Sequence, residues 1–345
     1  MIKIDGSLLE GGGQILRTSL ALSQIKKIPC HIFNIRKNRP NPGLQTQHLT
    51  FVNLIKDIFG GKVEGNYLGS QEIKFWPGQE KKEKIKVEIK TAASLTLLLQ
   101  AILPALIFSK EKTEIEIKGG ATDTFFSPTW DYFENVFLSF LKKLKINLQI
   151  FVKKRGYYPE GGAEVSLIIF PWKAQEIKKN NLSFFEKGKF QKILLFSSAS
   201  LFLKEKKVAE RQISGAKEIL KKIKIPLEEK INYYQTDCPG SSLFIGAVFE
   251  NTILGADNLG RIGKRAEEIG KECALFILNE EKEDGFFDSH LEDQVLPYLF
   301  LIEKRIEMKI SKPTNHFETN LKILQFFFEG KLEREKNLIF WTPQK

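Results

Sequence analysis

His316, in the stretch Thr314-Asn315-His316-Phe317-Glu318-Thr319-Asn320, is the residue with the chemistry to attack phosphorus. A neutral imidazole, with an ordinary pKa of about 6.5, can take up a nucleotidyl group covalently and pass it on. A lone histidine late in a chain is most often a plain surface or core residue. Two N-terminal segments give this one a different meaning: Glu10-Gly11-Gly12-Gly13-Gln14-Ile15-Leu16-Arg17, and the run from Arg36 to His48. Arg17, Arg36 and Arg39 suit phosphate oxygens, and the Glu10 carboxylate suits a divalent metal bridging them. Glycines opening a helix leave backbone N–H groups outward, a geometry friendly to phosphate. Pro40, Pro42 and Gly43 stiffen the second segment, and Gln47 and His48 follow just before an apolar helix face. A loop of converging guanidiniums is a candidate for polyphosphate or an RNA backbone.

A third segment, His290-Leu291-Glu292-Asp293-Gln294-Val295-Leu296-Pro297, sets an aromatic ring, two carboxylates and an amide at the start of an apolar helix. Its plainer reading is a helix start whose acidic side chains favour the dipole. Two motifs mislead. Lys3-Ile4-Asp5-Gly6 fits the K-x-D-G pattern of lysine-dependent nucleotidyl transferases, but the later motifs of those enzymes are missing. Gly255-Ala256-Asp257-Asn258-Leu259-Gly260-Arg261-Ile262 imitates a P-loop, with Arg-Ile where Lys-Ser/Thr is required. That segment is expected to be a loop before a helix.

Elements must carry these groups to one place. The 345 residues predict more than one domain with room for a sizeable core. Hydrophobic residues at 42% and charged residues at 28% are a globular balance. A net charge of +11 favours a polyanionic partner such as nucleic acid. Cys30, Cys238 and Cys273 are too scattered for a disulfide framework or a zinc site. With no signal-peptide pattern at Met1–Gly6, a cytoplasmic chain is expected. The apolar run Leu95–Phe108 contains Gln100 and Pro104 and is too short to span a bilayer, so no membrane role is expected.

Strand and helix patterns alternate throughout, with a theme of strand, glycine turn, helix, strand, strand recurring every ~40 to 60 residues. Texture changes after Pro171: a polar stretch, 173–189, leads into a Lys-rich α/β unit running to about Cys273. Residues 274–278 are expected to return to the main body. The expected division is 1–183 as the first part of a large domain, 184–275 as a small inserted α/β domain, and 276–345 as the last part of the large one.

Taken together, in order, the segments resemble the RNA 3′-terminal phosphate cyclases. The resemblance adds Gly119-Gly120-Ala121-Thr122-Asp123 with Pro128 and Asp131, Gly156-Tyr157-Tyr158-Pro159 with Gly161-Gly162, and Asp237-Cys238-Pro239-Gly240-Ser241. It implies an α/β (α+β) fold, with a large domain of three repeated βαβαββ-like units and a smaller inserted α/β domain. It implies ATP as substrate with Mg2+ or Mn2+, RNA with a 3′-terminal phosphate as partner, no obligate protein partner, and a covalent histidine–AMP at His316. It places metal on Glu10 and phosphate or RNA contacts on Arg17, Arg36, Arg39, Gln47 and His48. Nucleotide contacts fall on Gln100, Pro128, His290, Leu291, Glu292, Asp293 and Gln294. The family often has tyrosine where this chain has His290, and Asp293 is open to two roles, orienting His316 or touching the nucleotide. The rival readings are a non-catalytic cyclase-like ribosome-assembly protein, which would lack the histidine, and an enolpyruvyl transferase of similar architecture.

Overall fold

Among the described residues, three four-stranded sheets share one pattern of pairing. The structure, a computed structural model, describes residues 1–177 and 181–344. In the first sheet β1 (Ile2–Asp5) runs parallel to β2 (Cys30–Phe33), which pairs antiparallel with β4 (Ile73–Trp76), itself antiparallel to β3 (Lys62–Glu64). Between them lie the helices α1 (Gly13–Lys26) and α2 (Thr46–Phe59). The second sheet repeats the order with β5 (Lys84–Ser94), β6 (Thr113–Ala121), β8 (Glu164–Ile169) and β7 (Leu148–Lys154). Its helices are α3 (Leu95–Ile107) and a composite of α4 (Trp130–Tyr132), a π-helical stretch Phe133–Leu138 and α5 (Ser139–Lys143).

The third sheet begins with β9 (Asn181–Phe184), inside the stretch expected to be a polar connection. Its four residues are too few for a period to register, and their partner lies far along the chain. A fourth sheet then intervenes: β10 (Phe190–Ser200), β11 (Leu227–Tyr234), β12 (Ser241–Phe249) and β13 (Ile253–Leu259), with α6 (Val208–Leu220) and α7 (Ala266–Lys282). The chain then returns through α8 (Leu291–Leu301) to β14 (Arg305–Lys309), α9 (Asn315–Leu324), β15 (Gly330–Glu335) and β16 (Leu338–Pro343). Here β14 runs parallel to β9 and antiparallel to β16, which pairs antiparallel with β15. The class is mixed α/β.

Two sequence expectations change. The P-loop-like segment is largely strand, because residues 253–259 form β13, paired along β12. Its interior Asp257 hid the strand pattern. Residues 274–278 do not return to the main body. They continue α7, whose Cys273, Ala274 and Ile277 are buried against the fourth sheet. The expected boundary at residue 275 falls inside this helix.

Alternation within the fourth sheet explains how it is held. On β12, Leu243, Ile245 and Ala247 face the apolar cluster shared with α6 and α7, whereas Phe244 joins the main core. Its ring meets Tyr132 edge-on at 6.4 Å. A buried polar network reinforces the junction. Arg155 binds Asp131 at 2.6 Å and Asp123 at 3.4 Å, and Ser198 of β10 donates to Asp131 at 2.9 Å. Burial alone would lower the Arg155 pKa, but the two carboxylates outweigh it and hold the guanidinium charged. Arg155→Ala should therefore leave two buried carboxylates uncompensated and cost about 3–5 kcal/mol. Urea unfolding of the variant checks this; an unchanged midpoint would show the network to be dispensable.

Candidate functional site

The helices on the inner side of the sheets converge. α1 packs against α3 and α9, and α8 against α9. Between them opens a cleft of about 490 Å³, lined by α1, α3, α8 and α9, by the turn 125–129 and by the end of β13. His316 occupies the first turn of α9, where the Thr314 hydroxyl caps the helix by accepting from the Phe317 N–H at 3.0 Å. Phe317, Leu321 and Leu324 bury the opposite face, which fixes His316 towards the cleft.

Gln14 is hydrogen-bonded to His316. Its Nε2 donates to Asp293 Oδ2, which turns its Oε1 towards His316 Nδ1 at 3.1 Å. An amide oxygen can only accept, so Nδ1 carries the proton and the lone pair lies on Nε2. Partial burial lowers the His316 pKa; Glu10 opposes the shift, and Arg17, Arg39 and His290 add to it. Burial raises Asp293 to about 7. A second chain of bonds locks the same junction: Thr18 Oγ1 donates to Asn320 Oδ1 at 2.8 Å, and Asn320 Nδ2 donates to the Asp293 carbonyl at 2.8 Å.

Beside the cleft the glycine turn brings charge onto backbone. A Cβ on Gly12 would lie 2.1 Å from the Glu10 carboxylate, and one on Gly13 would lie 2.2 Å from His48 Nε2. Only glycine admits both side chains so close to the start of α1. Glu10 forms an ion pair with Arg39, whose Nη2 also donates to the Glu10 carbonyl at 2.9 Å. The other carboxylate oxygen, Oε2, is buried without a hydrogen-bond partner. Burial lowers Arg17 to about 10, against the pull of Glu10 and Asp293. His48 accepts at Nδ1 from the Gln45 N–H at 3.1 Å, and burial with Arg17 and Arg36 drives its pKa down to about 3.

The sequence-derived candidates separate by position. Arg17, Gln100, Pro128, His290, Asp293, Gln294 and His316 line the cleft, and Gln100 Nε2 donates to Gln294 Oε1 at 2.7 Å. Glu10, Arg36, Arg39 and His48 adjoin it at the glycine turn. Arg36 has a left-handed backbone, with φ of 55°, and donates to the Asn41 carbonyl at 3.1 Å. Gln47 lines a much smaller hollow with Arg17. Leu291 and Glu292 do not line the cleft. Both are buried outside the cleft; Glu292 accepts from the Ser311 N–H, and burial raises it to about 9. Helical spacing explains the split: 290, 293, 294 and 297 share the cleft face, and 291 and 292 turn inward. That spacing was available as a sequence signal.

Sequence reasoning missed Asp257, Asn258, Phe125 and Arg261 as cleft residues, and the wholly exposed Phe126 at the rim. Asp257 accepts from the Thr129 N–H at 2.5 Å, and burial raises its pKa. Gln14 stood inside a quoted motif but had no role, because its partners lie near the other end of the chain. Lys3, the alternative nucleophile, is exposed on the edge strand β1 and does not line the cleft.

The family model described as RNA 3′-terminal phosphate cyclase matches residues 8–333. The chain belongs to this family. This cyclase-family chain is 43% identical to the RNA 3′-terminal phosphate cyclase of Pyrococcus furiosus over 332 residues, covering 96% of it and 94% of the relative. It is 42% identical to the protein of that name from Sulfurisphaera tokodaii, covering 99% and 98% of the two chains. The corresponding figures for Sulfolobus acidocaldarius are 41%, 96% and 96%.

The neutral state of His48 yields a stability prediction for this cyclase-family chain. Its pKa is about 3 when folded and about 6.5 when unfolded. The unfolded chain therefore binds the proton first as pH falls. Stability contributed by this group is complete above the unfolded value and declines by up to about 1.4 kcal/mol per pH unit below it. Denaturation of wild type and His48→Gln between pH 5 and 7 should show a shallower acid decline in the variant. Identical slopes would mean that His48 is protonated in the folded state.

Proposed function

We propose that this member of the cyclase family converts an RNA 3′-terminal phosphate to a 2′,3′-cyclic phosphate at the expense of ATP, through a covalent adenylate on His316. The reading is carried by one observation: the Gln14 carbonyl holds the proton on Nδ1 and leaves the Nε2 lone pair of a largely neutral imidazole beside Arg17. That lone pair attacks the α-phosphorus of ATP. A P–N bond forms, the P–O bond to pyrophosphate breaks, and pyrophosphate leaves. An oxygen of the RNA 3′-phosphate then attacks the same phosphorus and displaces His316. The vicinal 2′-hydroxyl finally attacks the activated 3′-phosphorus, losing its proton to solvent as AMP departs. This last attack is intramolecular and gains a large proximity advantage.

Arg17, Arg36 and Arg39 offset phosphate charge, and Arg17 bonds oxygens at the reacting end of the cleft. Pro128, His290, Gln100 and Gln294 border the nucleoside. Asp293 works through Gln14, orienting His316. Glu10 fits a divalent cation, because Oε2 is a buried hard donor with no partner. Among the described residues no cluster of three or more His, Cys, Asp or Glu side chains can hold a metal. Glu10 would hold Mg2+ or Mn2+, which would supply charge neutralisation. Among the described residues no helix is long and apolar enough to cross a membrane.

With labelled ATP and metal, wild type should acquire an acid-labile, alkali-stable label that His316→Ala abolishes. Label on that variant, or on Lys3, would refute the assignment. RNA ending in a 2′-O-methyl nucleotide and a 3′-phosphate should stall as the adenylylated end. Failure to form any adenylylated species would sink the cyclase reading.

Glu10→Ala should lower the labelling rate at least tenfold and shift its metal dependence to higher concentration, a loss of transition-state stabilisation. Labelling rates across a Mn2+ titration test this, and an unchanged half-saturation would remove Glu10 from the metal site.

A further inference from the structure

Phe126 is held where an apolar side chain gains nothing from folding. Its ring is wholly exposed, at 103% of its reference surface, and its backbone is left-handed, with φ of 61°. A non-glycine residue in that region is strained, and such strain persists only where surrounding structure imposes it. Here it is imposed from both sides of the turn. Ser127 Oγ donates to the Thr124 carbonyl at 2.9 Å, Thr96 Oγ1 donates to the Pro128 carbonyl at 2.8 Å, and the Thr129 N–H donates to Asp257. The ring is therefore presented at the rim of the cleft by a pinned turn. Beside it, Phe125 meets Tyr158 edge-on at 5.6 Å, and Arg261 of the fourth sheet's outgoing loop sits 5.6 Å from the Phe125 ring centre and also lines the cleft.

We propose that Phe126 is a stacking platform for one of the last two bases of the RNA, with Arg261 beside it for the backbone. The inference rests on the cyclase reading. Exposed aromatic rings next to cations are how single strands are gripped without reading their sequence. The RNA base, not adenine, is the occupant for a geometric reason. ATP must reach His316 with its α-phosphorus, which sets its nucleoside in the cleft interior by Pro128 and His290. The RNA must reach the same atom with only its 3′ end, so its preceding nucleotides leave across the rim. Phe126 is a rim residue, and it makes no bond in the reaction.

The test uses full-length Phe126→Ala, Phe126→Leu and Phe126→Trp. Labelling by ATP without RNA should stay within about twofold of wild type in all three, which also shows that they fold. The KM for a short single-stranded 3′-phosphate RNA should rise about tenfold or more in the alanine and leucine variants, and return towards wild type with tryptophan. Abasic residues placed in turn at the last two positions supply the decisive arm. At the stacked position, base removal should weaken wild-type binding to the level of Phe126→Ala, and the variant should lose nothing further. Additive losses at both positions would overturn the proposal, as would an unchanged KM for RNA. A loss confined to ATP labelling would assign the ring to adenine instead. If wild type itself takes no label from ATP, the cyclase reading fails, not the stacking proposal alone.

Discussion

A bond between Gln14 and His316, residues 302 positions apart, governs the geometry of the cleft. It works only if the amide of Gln14 is fixed in one sense, and the neighbouring Asp293 carboxylate fixes it. Three helices from opposite ends of the chain must therefore meet with their first turns in register. Thr18, Asn320 and the Asp293 carbonyl repeat the same junction one turn deeper. The Glu10 N–H reaches Thr319 Oγ1 at 3.3 Å, which ties the glycine turn to the same helix. A small rotation of α1 would break the Gln14 and Thr18 bonds together.

The charges around this junction are unbalanced. Arg17, Arg36 and Arg39 crowd one side against Glu10, and His48 is kept neutral by burial and by two of those guanidiniums. Such an arrangement is costly for an empty protein and favourable once an anion with several oxygens enters. Glycines 12 and 13 make the crowding possible, because side chains occupy the space where a Cβ would be. Local backbone freedom and the electrostatics of the site are here one feature.

The fourth sheet supplies part of the cleft wall. β13 contributes Asp257 and Asn258, and the loop that follows contributes Arg261. These residues depend on the Arg155 network and on Phe244, which seat the sheet against α4. Asp257 in turn caps the turn that carries Phe126 and Pro128. The wall is thus continuous from the main core through a buried ion cluster to the rim.

Much of this was legible in order along the chain. The glycine turn with Glu10 and Arg17, the basic loop, the helix start at His290 and the late histidine are local patterns, and their chemistry is a property of residue type. The mixed α/β class followed from alternating periods of apolar residues. Helical spacing alone would also have separated Asp293 and Gln294 from Leu291 and Glu292. Other features had no local signal. β9 is four residues long and exists because β14 lies beside it. Asp257 interrupts an apolar run and is tolerated because the Thr129 N–H meets it. Gln14 has a role only through partners nearly 300 residues away. Sequence determined which groups are present and which elements carry them, since propensity and periodicity act between near neighbours. Tertiary structure alone decided which groups touch, which nitrogen of His316 keeps its proton and which ring stands at the rim, because these depend on burial and on contacts between distant segments.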